Sequence, residues 1–308
     1  MKTMKLTGFS LAIALSVGFF ASCSDDDSDG GSTLPPIGGY NSADEVGAAD
    51  LLAYWPLNGN GNESKSATAP TTSVGTSWTN GIKGQGVNLT AGYMQYPSIA
   101  SLAATMNAFT VSAWVKVYNN KTATNPGSAS VIVSLSRPTE WEGNINLYAE
   151  TGQRPSVNAA GAVNDSIIMK GSFRSSVSGG EGYANFIKLD PWMVDENLVT
   201  PGKHVANANK TAGVWTQAVF TWDGATNKLI IYSNGVKISS PSFEVRGTNT
   251  SLVPDLPTAP VIGAFANRNP ADVWNLPMTG QIDEIRIWKK ALSQADIGFL
   301  YELEKAGR

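Results

Sequence analysis

The chain has 308 residues, a single cysteine and a formal net charge of −3. One cysteine excludes an internal disulfide, so in a secreted chain that thiol needs another use. The near-neutral balance excludes the basic footprint of a nucleic-acid binder.

Lys2 and Lys5 make a short basic start, and residues 6–20 are apolar or small throughout. That run is shorter than the roughly 20 residues a helix needs to cross a bilayer, so it predicts a cleaved signal peptide over 1–22. Phe20-Ala21-Ser22-Cys23 resembles a bacterial lipobox. The resemblance implies that Cys23 is acylated, becomes the first residue of the mature lipoprotein and holds it to the outer membrane. Asp25, Asp26, Asp27 and Asp29 follow, and this run resembles the surface-export tag of lipoproteins that capture or process glycans outside the cell. It implies a location facing the exterior, beside other surface glycan-uptake proteins. Losing Lys2 and Lys5 takes the charge from −3 to −5, and those four aspartates account for most of it. Residues 23–47 are rich in Ser, Asp, Gly and Pro. Such a stretch cannot bury enough surface to offset its ordering entropy and predicts a flexible tether.

From residue 48 onward strand-like runs recur, with one helical stretch at the end. Leu51 to Leu57 opens the series. In Phe109 to Val117, Phe109, Val111, Ala113, Val115 and Val117 share one face, and Thr110, Ser112, Trp114 and Lys116 share the other, the period of a strand. Val214 to Trp222 and Leu229 to Tyr232 flank an Asp223-Gly224 turn. Asn234-Gly235 then predicts a tight hairpin, because both turn positions need positive φ. Gly280 to Trp288 is the last long strand. Ser293 predicts a helix N-cap, with Asp296 at the third helical position and Ile297, Leu300 and Tyr301 on one stripe. Many short strands with polar turns predict one all-β antiparallel sandwich over 48–308 with a short C-terminal helix.

The order of these runs resembles laminin-G-like domains of the concanavalin A-like lectin and glucanase superfamily. The resemblance rests on Tyr54-Trp55-Pro56-Leu57-Asn58-Gly59-Asn60, Lys83 to Leu89 with Tyr93 to Pro97, Phe109 to Lys116, Trp215 to Gly235, and Gly280 to Trp288 with Ala291-Leu292-Ser293. It implies a jelly-roll β-sandwich in which 83–89 and 93–97 are the second and third strands. A long insertion near 119–213 departs from the usual domain length.

That fold serves lectins, hydrolases and spacers alike, so function rests on sites. Glycoside hydrolysis needs two carboxylates roughly 5 to 10 Å apart. Only Glu140-Trp141-Glu142 comes near such a pair, in a context that predicts a loop. His204 lies in a polar segment without a visible nucleophile partner, and no catalytic residue is assigned. Trp55, Trp114, Trp215, Trp222 and Trp288 fall in strand motifs, whereas Trp78, Trp141, Trp192 and Trp274 fall among polar residues as loop positions do. Flat sugar C–H faces stack on such rings while hydroxyls bond to polar neighbours. Trp141 and Trp274, with Arg268 and Asp272, are the candidate carbohydrate contacts; the other reading makes each tryptophan a plug packed on the sandwich. Strict alternation puts Asp283 on a face with Ile285 and Ile287, where a carboxylate needs a cation or several donors. The family resemblance implies a structural calcium held by Asp283 with Asn62 and Glu63. The expected function is a surface-anchored lipoprotein that binds extracellular carbohydrate without cleaving it, with a hydrolase or a protein-binding adhesive module as the alternatives.

Overall fold

The computed structural model describes residues 34–120, 124, 127–151, 167–177, 182–185, 212–239, 241–269 and 271–308. Cys23, Trp192, His204 and most of the 119–213 insertion lie outside them.

Where side chains alternate, strands form. They are β1 (Leu51–Trp55), β2 (Thr72–Asn80), β3 (Gln85–Gln95), β4 (Ala108–Val117), β5 (Ala129–Leu135), β6 (Ile145–Glu150) and β7 (Ile168–Phe173). β8 (Gly182–Asn185), β9 (Thr216–Asp223), β10 (Lys228–Ser233), β11 (Val236–Lys237), β12 (Pro260–Ile262) and β13 (Met278–Trp288) complete the set. A short helix α1 (Pro241–Glu244) precedes β12, and α2 (Gln294–Lys305) follows β13. The strands pair in the order β11-β10-β9-β4-β13-β3-β12-β5-β6-β7-β8, with β1 added on β13 and β2 on β3.

This sheet curls back on itself into an antiparallel jelly-roll sandwich. β7 and β9 lie far apart in pairing order, yet Phe173 meets Trp222 at 4.7 Å and Phe109 of β4 at 5.9 Å. Phe109 also meets Phe220 edge-on at 5.2 Å. The two layers approach so closely at Gly171 that a Cβ there would sit 2.4 Å from the Phe220 ring. Phe109, Val111, Ala113, Val115 and Val117 are all buried in this core, as their alternation predicts. Trp114 points the other way and stacks on Tyr301 of α2 at 5.5 Å. Asn234 (φ 49°) and Gly235 (φ 75°) take the two left-handed positions of the β10–β11 hairpin. At α2, the Ser293 hydroxyl accepts the Asp296 N–H at 3.1 Å, while Ile297, Leu300 and Leu303 are buried.

Three expectations change. The segments 83–89 and 93–97 are not separate strands: their residues 85–89 and 93–95 belong to the one strand β3, which bends at Ala91 (φ 45°). Its hairpin partner is β2, whose mixed sequence hides its period, and Trp78 belongs to β2 and packs on the core rather than lying in a loop. The compact unit begins at Pro35, ahead of the expected start at 48. Ala43 and Val46 pack under α2 with Leu300 and Leu303, and Tyr40 donates to Asp296 at 2.9 Å.

Between the sheet and α2 lies a buried polar layer centred on Arg286. Its guanidinium donates to Glu284 Oε2 at 2.7 Å, Glu304 Oε1 at 3.1 Å and Asp44 Oδ1 at 2.7 Å, and lies 3.8 Å from the Tyr54 ring centre. Glu304 Oε2 also accepts from Trp114 Nε1 at 2.8 Å and Gln217 Nε2 at 3.0 Å, and Tyr54 donates to Glu284 at 2.8 Å. Burial pushes the Glu304 carboxyl above its usual range, against the pull of Arg286. Breaking a buried ion pair by removing one partner costs about 3–5 kcal/mol, because the remaining charge is left uncompensated. Arg286→Met is therefore expected to lower the unfolding free energy in urea by about that amount, and a loss below about 1 kcal/mol would show the network to be peripheral.

Candidate functional site

Two loops lie side by side along β5. Residues 136–144 join β5 to β6, and residues 263–277 join β12 to β13; β12 pairs with β5, Val261 opposite Ser134. Backbone acceptors pin the loops to one another. Asn267 Nδ2 donates to the Arg137 carbonyl at 2.8 Å and the Glu140 carbonyl at 2.9 Å, and the Ala129 N–H donates to the Trp274 carbonyl at 2.8 Å.

This pinning brings Trp141 and Trp274 into edge-to-face contact, with ring centres 5.0 Å apart at 82°. Trp141 also meets the fully buried Phe265 edge-on at 5.1 Å. Their orientation is thus set by packing, yet Trp141 is 40% and Trp274 37% exposed. Neither is a plug. Arg268 lies 4.5 Å from the Tyr93 ring centre and donates to the Phe265 carbonyl at 2.6 Å, and its other N–H groups have no acceptor among the described residues. The carboxylate of Asp272 has no partner among the described residues, although its backbone carbonyl accepts the Asn275 N–H at 2.9 Å. Glu140, Trp141, Asn267, Arg268 and Asp272 line one open cavity of about 420 Å³. The four candidate contacts that the sequence singles out therefore occur in one loop cluster.

Beside it is a second cavity of about 330 Å³, lined by Arg268, Asn269, Asn275 and Leu276 among others. Asn275 gives no signal in the sequence, where it reads as one more loop asparagine. Glu140-Trp141-Glu142 is a loop, as expected, but its two carboxylates do not share a cleft. Glu142 is buried in an ion pair with Arg174, whereas Glu140 is exposed at the first cavity.

The metal candidates behave differently. Asp283 does not share the core face with Ile285 and Ile287. It stands opposite Trp114, on the side facing α2, because the ladder slips between Asp283 and Arg286, where Glu284 takes φ 51°. Asp283 is nevertheless fully buried. Its Oδ2 accepts the N–H groups of Ile82 and Lys83 at 2.8 and 3.1 Å, and Oδ1 accepts that of Glu284 at 2.9 Å. Burial pushes its carboxyl up to about 7, against the pull of those three amides. Glu63 is also fully buried and fully used. It accepts from the backbone of Tyr54, Lys65 and Ser66 and from the Ser66 hydroxyl, at 2.5–3.0 Å. Asn62 is exposed, and its backbone N–H turns to Asn60 Oδ1 at 2.9 Å.

Calcium takes oxygen lone pairs; in Glu63 and on Asp283 Oδ2 these already face N–H or O–H donors, so the residues do not fit a shared calcium. Among the described residues, no group of three His, Cys, Asp or Glu side chains is placed to hold a metal ion. A calcium site filled at a hundredfold excess over Kd would add about 2.7 kcal/mol of stability. Replacing chelator with millimolar calcium is expected to leave the melting curve unchanged, and a calcium-dependent rise that Asp283→Asn removes would restore the metal.

Residues 171–298 match the family model described as the Concanavalin A-like lectin/glucanases superfamily. No curated protein matches the sequence. Among solved structures, the chain is similar to the binding domain of Paraclostridial Mosquitocidal Protein 1, with TM-score 0.50 and 14% identity over 82% of this chain and 52% of that one. Domain 4 of AbnA, an extracellular arabinanase from Geobacillus stearothermophilus solved with arabinotriose, gives TM-score 0.47 and 18% identity over 82% of this chain and 98% of that one. A Trypanosoma rangeli sialidase gives TM-score 0.48 and 13% identity over 83% of this chain and 33% of that one. The fold that the strand motifs predict is the fold observed, and the family that they resemble is matched over residues 171–298.

Proposed function

We propose that the protein is a surface lipoprotein, anchored through Cys23, that binds extracellular carbohydrate at the Trp141–Trp274 cleft without cleaving it. The observation that carries the binding reading is the pair itself. Two tryptophans are oriented by packing, more than a third exposed, and set beside Arg268 N–H groups and an Asp272 carboxylate that have no partners among the described residues. A sugar needs that combination, a flat apolar surface for its C–H face and unpaired polar groups for its hydroxyls. Exposed tryptophans with their polar neighbours already satisfied would point instead to an adhesive patch.

The cleft and the segment that precedes β1 lie at different ends of β13. The cleft sits at the Met278 end of β13. At the other end Trp288 Nε1 donates to the Val46 carbonyl at 3.1 Å, and the Lys289 N–H donates to that of Asp50 at 2.9 Å. At about 3.3 Å per residue the strand separates the two by roughly 30 Å.

One observation favours a second reading, hydrolysis. Glu140 and Asp272 line the same cavity, and glycoside hydrolysis uses a pair of carboxylates. Three variants separate the readings. A stacking ring contributes about 1–3 kcal/mol, by analogy with base–aromatic stacking, so Trp141→Ala is expected to weaken oligosaccharide binding about tenfold or more at an unchanged melting temperature. A loss of stability in place of affinity would make Trp141 a structural plug. No reducing ends are expected from any polysaccharide that binds; turnover abolished by Glu140→Gln and by Asp272→Asn would establish the enzyme.

The anchor has its own test. Cys23→Ala is expected to abolish incorporation of labelled fatty acid and release the protein from membranes, and a variant that stays acylated would remove Cys23 from the account. Alanine at Asp25, Asp26 and Asp27 is expected to leave acylation intact but protect the protein from protease added outside the cell.

A further inference from the structure

The cavity beside the tryptophan cleft contains an amide with nothing to bind. Asn275 is 2% exposed, and neither its Nδ2 nor its Oδ1 has a partner among the described residues. A buried amide of this kind carries a desolvation cost that native structures rarely leave uncompensated, so such a group calls for an occupant. The loop holds Asn275 in place through the backbone. Its N–H donates to the Asp272 carbonyl at 2.9 Å, the Asp272 N–H donates to the Asn269 carbonyl at 2.9 Å, and Trp274 is fixed by the Ala129 N–H. The side chain is thus carried on a hydrogen-bonded turn, while the amide itself has no partner among the described residues.

The neighbouring groups indicate the chemistry of the occupant. Leu276 and Pro277 give the cavity an apolar wall, and Arg268 with Asn269 lines both this cavity and the one under Trp141. The two spaces therefore adjoin across Arg268. Each lies toward the small end of ligand-pocket sizes, which run from roughly 300 to 1,000 Å³, so each suits a single ring more than a chain. An asparagine amide presents one acceptor and one donor side by side. That pair matches two neighbouring hydroxyls of a sugar, one donating to Oδ1 and the other accepting from Nδ2. The amide offers no net charge, and Arg268 is offset by Asp272 and Glu140 in the adjoining cavity, so the site selects neither an acidic nor a basic group.

We propose that Asn275 is the floor of a second sugar subsite, so that the site takes a neutral oligosaccharide of at least two residues, one on Trp141 and the next across Arg268 with vicinal hydroxyls on the Asn275 amide. The inference rests on the carbohydrate-binding reading of the Trp141 cleft and adds to it the length and the neutral, vicinal-diol character of the ligand.

Calorimetric titration of the domain from Pro35 onward with a panel of neutral trisaccharides, their disaccharides and their monosaccharides tests it. The wild type is expected to bind a disaccharide at least tenfold more tightly than its monosaccharide, with little further gain from the third ring. Asn275→Ala is expected to weaken the disaccharide about tenfold, toward the affinity of the monosaccharide, whereas Trp141→Ala weakens both. Removing an unpaired amide should leave the melting temperature unchanged or higher. Full disaccharide affinity in Asn275→Ala would show that the amide serves only a trapped water and would sink the subsite while leaving the Trp141 cleft standing. A melting temperature several degrees lower would make Asn275 a structural residue, with the same consequence for the subsite. A wild type that binds no member of the panel would overturn both the subsite and the reading beneath it.

Discussion

A guanidinium sealed between a sheet and a helix must be matched by acceptors, and the arrangement around Arg286 depends on that requirement. Glu284 comes from the same strand, Glu304 from α2 and Asp44 from the segment before β1, so a single charge fixes three parts of the chain. Trp114 and Gln217 complete the coordination of Glu304 and extend the constraint to β4 and β9. A greasy helix could slide on a sheet with small loss. A helix whose buried carboxylate accepts from three side chains on three strands cannot, because every displacement strands a charge in a dry layer.

The same strand carries that constraint to the candidate site. β13 holds Arg286 near one end and reaches Met278 at the other, paired on one side with β3 and on the other with β4. The loop that ends at Met278 is therefore anchored at a fixed point, and the Met278 N–H closes it by donating to the Gly263 carbonyl at 2.8 Å. Trp274, Asn275 and Arg268 occupy that closed loop. β12 brings it against β5, whose exit loop supplies Trp141. A binding surface on loops gains precision when both loops start from paired strands, and here each does.

How much of this the sequence discloses follows from how local each signal is. Phe109 to Val117 and Asn234-Gly235 are legible because alternation and turn chemistry act between near neighbours. α2 is legible from its Ser293 cap for the same reason. β2 is not, because Thr72–Asn80 is an edge segment with mixed exposure and no apolar period to read. Asp283 misleads because a ladder slip at Glu284 breaks the period of two on which any face assignment rests. The Arg286 network is invisible in principle, since Asp44 and Arg286 are 242 positions apart. Trp141 and Trp274 stand out singly by their polar company, but their contact depends on β12 pairing with β5. Asn275 carries no signal, because an unpaired amide is a property of the packed loop and not of the residue.

The claim on which the functional account rests is that sugar occupies the Trp141–Trp274 cleft. A crystal structure of the domain from Pro35 onward, bound to the tightest glycan from an array, tests it most directly. The account predicts a sugar ring lying against Trp141, with its hydroxyls on Arg268 and Asp272 and its neighbour at Asn275. A glycan held on another face of the sandwich, with this cleft filled by solvent alone, would contradict it.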